Sequence, residues 1–193
     1  MFNFYSFFIY ALVTTFTPGP NNIMSMSHAV HIGLKNSYPF NLGASVGFFI
    51  VMLLCTIFST TLFIYIPQVK IYMLIAGAAY MLYLAWRMFI SSSEIKLDKP
   101  GKANFISGLL FQFINPKLYI YAITVMSAYI LPVFNSISIL AGFLFMLAFM
   151  GLTSTLVWSL FGEVFRKLPR KHTKLINSIM SMLLIYCAVS LFL

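Results

Sequence analysis

Charge is the scarcest property of this chain. Only 8% of its 193 residues are charged, and Asp and Glu together number 3, where a soluble domain carries about a quarter. A soluble globular fold is thereby excluded. The three acids, Glu94, Asp98 and Glu163, fall in a polar stretch or at the end of an apolar run, so none is placed to carry protons inside a membrane. Cysteine is nearly as rare. Cys55 and Cys187 lie within apolar runs, far from any loop, which gives no disulfide framework and leaves them as small buried hydrophobes. Also missing are a His-Glu-x-x-His zinc pattern, a serine nucleophile elbow and a phosphate-cradling glycine loop. No enzyme and no cofactor is implied. His28 and His31 share a helical face, but neither thiol nor carboxylate joins them, so they read as an interfacial pair without a metal.

What fills the chain instead is apolar. Hydrophobic residues make up 61% and mean hydropathy is +0.95, so nearly everything from Phe2 onward belongs to runs of the length, about 20 residues, that crosses a bilayer. The expected fold is all-α and integral to the membrane, with the lipid bilayer as its first partner. The first residues lack the basic segment of a signal peptide, so the first run reads as a retained span. A net charge of +9 would suggest nucleic acid in a soluble protein, but here it is spread over short loops, and no nucleic acid is implied.

Six spans fit, at about 4–28, 38–64, 69–90, 105–134, 136–161 and 175–193. A polar link at 31–36 separates the first two, Pro67 ends the second, and the most polar stretch, 91–104, separates two halves, about 1–90 and 105–193. Asn41, early in the second span, reads as a cap. The hydroxyl run Thr153-Ser154-Thr155 in the fifth reads as bonding to its own helix or a neighbour, with a cavity-lining role as the alternative. Gly43 and Gly47 at four-residue spacing, Gly77 in the third span and Gly142 in the fifth are candidates for close helix packing.

Two spans are interrupted in their middles. Pro18, Gly19 and Pro20, followed by Asn21 and Asn22, break the first, because each proline removes an N–H and clashes with the preceding turn. Asn115, Pro116 and Lys117 break the fourth. At membrane depth such breaks persist only where protein or a watery cavity receives the freed backbone, as at transporter substrate sites. Asn115 suits an N-cap and Pro116 a first helical position. Two half-helix N-termini and Lys117 together favour an anionic group such as a carboxylate. Lys117 lies too centrally to snorkel easily, so it reads as functional. Asn21, Asn22, Gln112 and Asn115 supply donors and acceptors that suit a zwitterion.

The order of broken helix and glycine-bearing helix recurs: Pro20 to Gly47-Phe48-Phe49, then Pro116 to Gly142-Phe143-Leu144. With three spans in each half, the second enters the membrane inverted. Lys35, then Arg87, Lys96, Lys99 and Lys102, then Arg166, Lys167, Arg170, Lys171 and Lys174 account for all but two of the 12 Lys and Arg residues. They lie after spans one, three and five, which places those links in the cytoplasm and both termini outside.

Thr17 to Asn21, Gly33 with the Gly43/Gly47 pair, Gly77 to Met81, and Asn115-Pro116-Lys117 resemble the motifs of the LysE/RhtB family of amino-acid exporters, over nearly the whole chain. Within it, Thr17 to Ile23, Phe49 to Cys55 and Ile185 to Val189 resemble the branch that exports cysteine and O-acetylserine, although the chain keeps the commoner Asn-Pro-Lys. The resemblance implies a bacterial inner-membrane exporter of small neutral amino acids, driven by the proton-motive force. Homoserine or threonine stays open as substrate, and a homo-oligomer is compatible with the sequence. Two rivals come from other classes: a membrane thiol oxidoreductase using Cys55 and Cys187, and metal efflux using His28 and His31.

Overall fold

The computed structural model describes residues 2–58, 72, 75, 78–86, 89–90, 103–167 and 173–190. Gly77, Pro67, Lys70, Arg87, Glu94, Asp98 and nearly all of the polar stretch at 91–104 lie outside the described residues. The described residues form helices only: α1 (Phe4–Phe16), α2 (Pro20–Ile32), α3 (Leu34–Ile57), α4 (78–86), α5 (Phe105–Phe113), α6 (Pro116–Thr124), α7 (Ile137–Arg166) and α8 (Thr173–Ser190). Two of these, α3 and α7, are long and apolar enough to cross a membrane. The pair formed by α5 and Pro116–Ile130, bent by 63°, makes a third if counted as one span.

Both breaks stand where the prolines predict them. Asn3 caps α1, its side chain accepting from Ser6 N at 3.0 Å, and the helix stops at Thr17, which is extended. Gly19 is also extended and Pro20 opens α2. In the fourth span Asn104 caps α5 by accepting from Ser107 N at 2.7 Å, and Pro116 opens α6. Beyond Thr124 the backbone loosens into a π-helix, Val125–Ile130. Nothing in the hydropathy marks it.

α2 is polar for a membrane helix, carrying Asn22, Ser25, Ser27 and His28, yet all four are buried. Protein surrounds it on nearly every side, with α7 and α3 packed along it and α8 beside it, so its polar groups are spared lipid. Phe7, Phe48, Val125, Ile130 and Leu147 belong to one apolar core, built by α1, α3, α6, the π segment and α7. Ile23, Met81, Met180 and Leu184 belong to another, between α2, α4 and α8. The first break lies between them. Large apolar side chains such as Ile9, Leu54, Phe145, Phe149 and Leu160 point outward, as lipid-facing positions do.

Three expectations need correction. No polar link spans 31–36: α2 runs to Ile32 and α3 begins at Leu34, so a single residue, Gly33 at φ 85, turns the corner. The second span, expected from about residue 38, thus begins at Leu34, with Pro39 inside α3. Asn41 therefore caps nothing; it is fully buried mid-helix and its Nδ2 donates to Ser159 Oγ at 2.8 Å. Gly142 makes no close contact, since among the described residues a Cβ there would meet nothing within 4 Å, and it lies on the exposed face of α7. Gly43 and Gly47 do abut another helix. A Cβ at Gly43 would collide with the backbone of Phe105, and one at Gly47 would lie 2.6 Å from Leu109 O. Gly108, against Phe40 O, and Gly162, against Met26 O, make the same kind of approach.

Candidate functional site

Stopping α1 at Thr17 leaves its last carbonyls without helical partners, and each finds a donor from elsewhere. Thr14 O accepts from Thr17 Oγ1 at 2.8 Å. Thr15 O accepts from Asn22 Nδ2 and Ser154 Oγ, each at 2.9 Å, and Ser154 Oγ also lies 3.2 Å from Asn22 Oδ1. Trp158 Nε1 donates to Phe16 O at 3.1 Å. Thr17 O accepts from Asn22 Nδ2 at 3.0 Å and from Lys117 Nζ at 3.1 Å. Lys117 Nζ also reaches Thr17 Oγ1 at 3.0 Å and Pro18 O at 3.4 Å, and Cys187 Sγ lies 3.6 Å from Pro18 O. The break is thus held by groups from α2, α6, α7 and α8.

Lys117 comes from the second break, and it lies across the first. Its position depends on Gly19: a Cβ there would stand 2.9 Å from Lys117 Cδ and 3.0 Å from Nζ. Since Gly19 is extended at φ −165, a conformation open to any residue, the glycine serves space and not backbone freedom. The cation sits at the carbonyl end of α1, where the helix dipole is negative.

Between the breaks lies a cavity of about 50 Å³, room for several water-sized groups. Gly19, Pro20, Asn21 and Asn22 line it from the first break, and Gln112, Asn115 and Lys117 from the second. Thr14, Thr15, Phe48, Leu118, Tyr121 and Gly151 complete the wall. Pro18 and Pro116 are not among the lining residues; they shape the chain on either side. Neither helix start is capped by a side chain. Asn115 turns away from its N-cap role and donates through Nδ2 to Gln112 Oε1 at 3.1 Å. Two helix starts and one lysine thus border a single small space, an arrangement suited to an anion.

The LysE type translocator family matches residues 12–193 of the chain. The chain belongs to that family. Among curated relatives of this LysE-type chain, the cysteine/O-acetylserine efflux protein of Escherichia coli O139:H28 (strain E24377A / ETEC) is 36% identical over 187 residues, covering 97% of this chain and 96% of the relative. The proteins of the same name from Escherichia coli (strain K12) and Shigella flexneri serotype 5b (strain 8401) are each 35% identical over the same shares. No solved structure matches.

Several lining residues of this LysE-type translocator were not marked in its sequence. Tyr121 stands one helical turn after Lys117, a spacing that offered a signal, whereas Thr15, Phe48 and Gly151 reach the cavity only through tertiary packing. Of the hydroxyl run, Thr153 and Thr155 bond to their own helix and only Ser154 serves the break. Cys55 and Cys187 belong to different cores, so nothing pairs them. Cys187 nonetheless borders the first break, a contact that its place in an apolar run does not reveal. His28 packs its ring on Phe40 at 4.7 Å, and His31 Nδ1 meets Ser27 O at 2.8 Å.

Proposed function

We propose that this chain exports a small neutral amino acid, cysteine or O-acetylserine in type, across the bacterial inner membrane at the expense of the proton-motive force. The observation that carries this reading is the convergence of two helix starts and one lysine on a single cavity. Asn21, Asn22, Gln112 and Asn115 add neutral amides beside them. The substrate carboxylate competes with the α1 carbonyls for Lys117, so its arrival draws the lysine off Thr17 and Pro18 and loosens the tie between the breaks. Six spans, arranged as two inverted halves, then expose the cavity alternately to either side.

Lys117→Met keeps most of the side chain's bulk and removes its charge, and it is expected to abolish uptake of labelled amino acid into inverted vesicles at matched membrane abundance. Lys117→Arg retains partial activity at most, because guanidinium is wider and stays charged. Full activity of the Met variant would remove the lysine from the mechanism. Orientation is checked separately. Cysteines introduced at Lys35 and Lys167 are expected to resist an impermeant reagent in intact cells and to label in inverted vesicles, with the opposite pattern at Ser136. Labelling of Lys167→Cys in intact cells would overturn the placement of both termini outside.

A further inference from the structure

We infer that the cavity holds the substrate's ammonium group between two neutral amide oxygens, Asn21 Oδ1 and Asn115 Oδ1, one from each break, and thereby selects free amines over N-acylated ones. This rests on the export reading above and adds to it the orientation of the bound molecule. Three polar atoms of residues lining the cavity are buried with no hydrogen-bond partner: Asn21 Oδ1, Asn115 Oδ1 and Gln112 Nε2. Gln112 is 1% exposed and Asn115 6%, so bulk water does not complete them. Buried polar atoms are rarely left unpaired, and three around one cavity describe what is meant to fill it.

The amides specify the ligand further. Asn115 Nδ2 and Gln112 Oε1 are already spent on each other at 3.1 Å, leaving the pair one acceptor and one donor to offer. Turning both amides over would again leave one acceptor and one donor, with the acceptor now on Gln112. Asn21 adds a second acceptor from the opposite break. A ligand that meets all three needs at least two N–H hydrogens and one acceptor, which a primary ammonium with a neighbouring carboxylate supplies. Lys117 fixes the direction. A cation repels the ammonium, so the amine lies toward the amides and the carboxylate toward Lys117 and the start of α2. Among the described residues no acid lines the cavity, so the ammonium is balanced by the ligand's own carboxylate, and a second cation on the ligand finds no partner. An N-acyl group removes two of the three N–H hydrogens along with the charge, and sets a carbonyl oxygen against two amide oxygens.

O-acetylserine and N-acetylserine are isomers of one composition, so comparing them holds size constant. The test is competition with labelled serine exchange by the purified protein in liposomes, at mildly acidic pH where the acyl group does not migrate. N-acetylserine is expected to compete at least about tenfold more weakly than O-acetylserine, the effect of losing hydrogen bonds to a charged group, and lysine is expected to compete as poorly. Asn21→Leu and Asn115→Leu should each weaken O-acetylserine by about tenfold and so narrow the gap between the two isomers. Should those variants fail to fold, the wild-type comparison decides alone. Equal competition by the two isomers, or by lysine and serine, overturns the ammonium site while export stands. Absence of exchange with any amino acid removes the export reading, and this assignment with it.

Discussion

Two glycines show how differently one residue type is used in this protein. Gly33 has φ 85 and ψ 158, a region open to almost no other residue, and the Arg166 guanidinium crowds the place where a Cβ would stand. Gly33→Ala is therefore expected to cost about 1–3 kcal/mol in backbone strain alone, seen as a lower melting temperature in detergent. Its corner is further fixed by Glu163, whose Oε2 accepts from Leu34 N at 2.9 Å and lies 3.6 Å from Arg166. Gly19→Ala meets no such strain. The added methyl displaces Lys117 from Thr17 and Pro18, so the variant should fold near normally and lose most of its transport, a split that melting and vesicle uptake measured together will reveal.

At the scale of helices, contact decides which glycines matter. Gly108→Ala drives a methyl into Phe40 O, and overpacking of this kind costs roughly 1–3 kcal/mol. Gly142→Ala meets open space and should be neutral or stabilising by up to about 1 kcal/mol through helix propensity; melting curves of the two variants compare them directly. The sequence distinguished these positions only in part. Gly43 and Gly47 could be read from their spacing, but the same pattern of glycine among apolar residues at Gly142 faces outward, and hydropathy does not tell a lipid-facing side from a protein-facing one. The breaks were legible because proline acts locally on the backbone. The corner at Gly33 was not, since His31, Lys35 and Asn36 look like a loop, while α2 runs on to Ile32 and α3 begins at Leu34. Lys117 was legible as a charge inside a span, but its partners were not, because they lie 99 and 100 residues away in the chain. The π segment rests on packing of Val125, Met126 and Ile130 into the first core, and no residue in it announces the wider turn.

Close backbone approaches and ring contacts hold the molecule together. Gly43, Gly47, Gly108 and Gly162 bring backbones of α2, α3, α5 and α7 together, beside the rings of His28, Phe40 and Phe111. Elsewhere Tyr10 stacks with Tyr121 at 6.2 Å and with Tyr129 at 5.8 Å, and Phe7 packs on Phe143 at 5.4 Å. The satisfied carbonyls of the first break also bear on time. They draw donors from Asn22, Lys117, Ser154, Trp158 and Cys187, and the last of these is 169 residues from its acceptor. At about 5–20 residues per second of synthesis, those carbonyls exist for on the order of ten to thirty seconds before their final partner is made. In lipid that interval would be costly. The broken first span is therefore expected to wait in the wet interior of the insertion machinery until the later helices arrive. A chain halted at residue 104 should leave an Ala11→Cys thiol, fully buried in the finished fold, open to a water-borne reagent that the finished protein excludes, and equal shielding in the two would mean that the first span settles in the bilayer by itself.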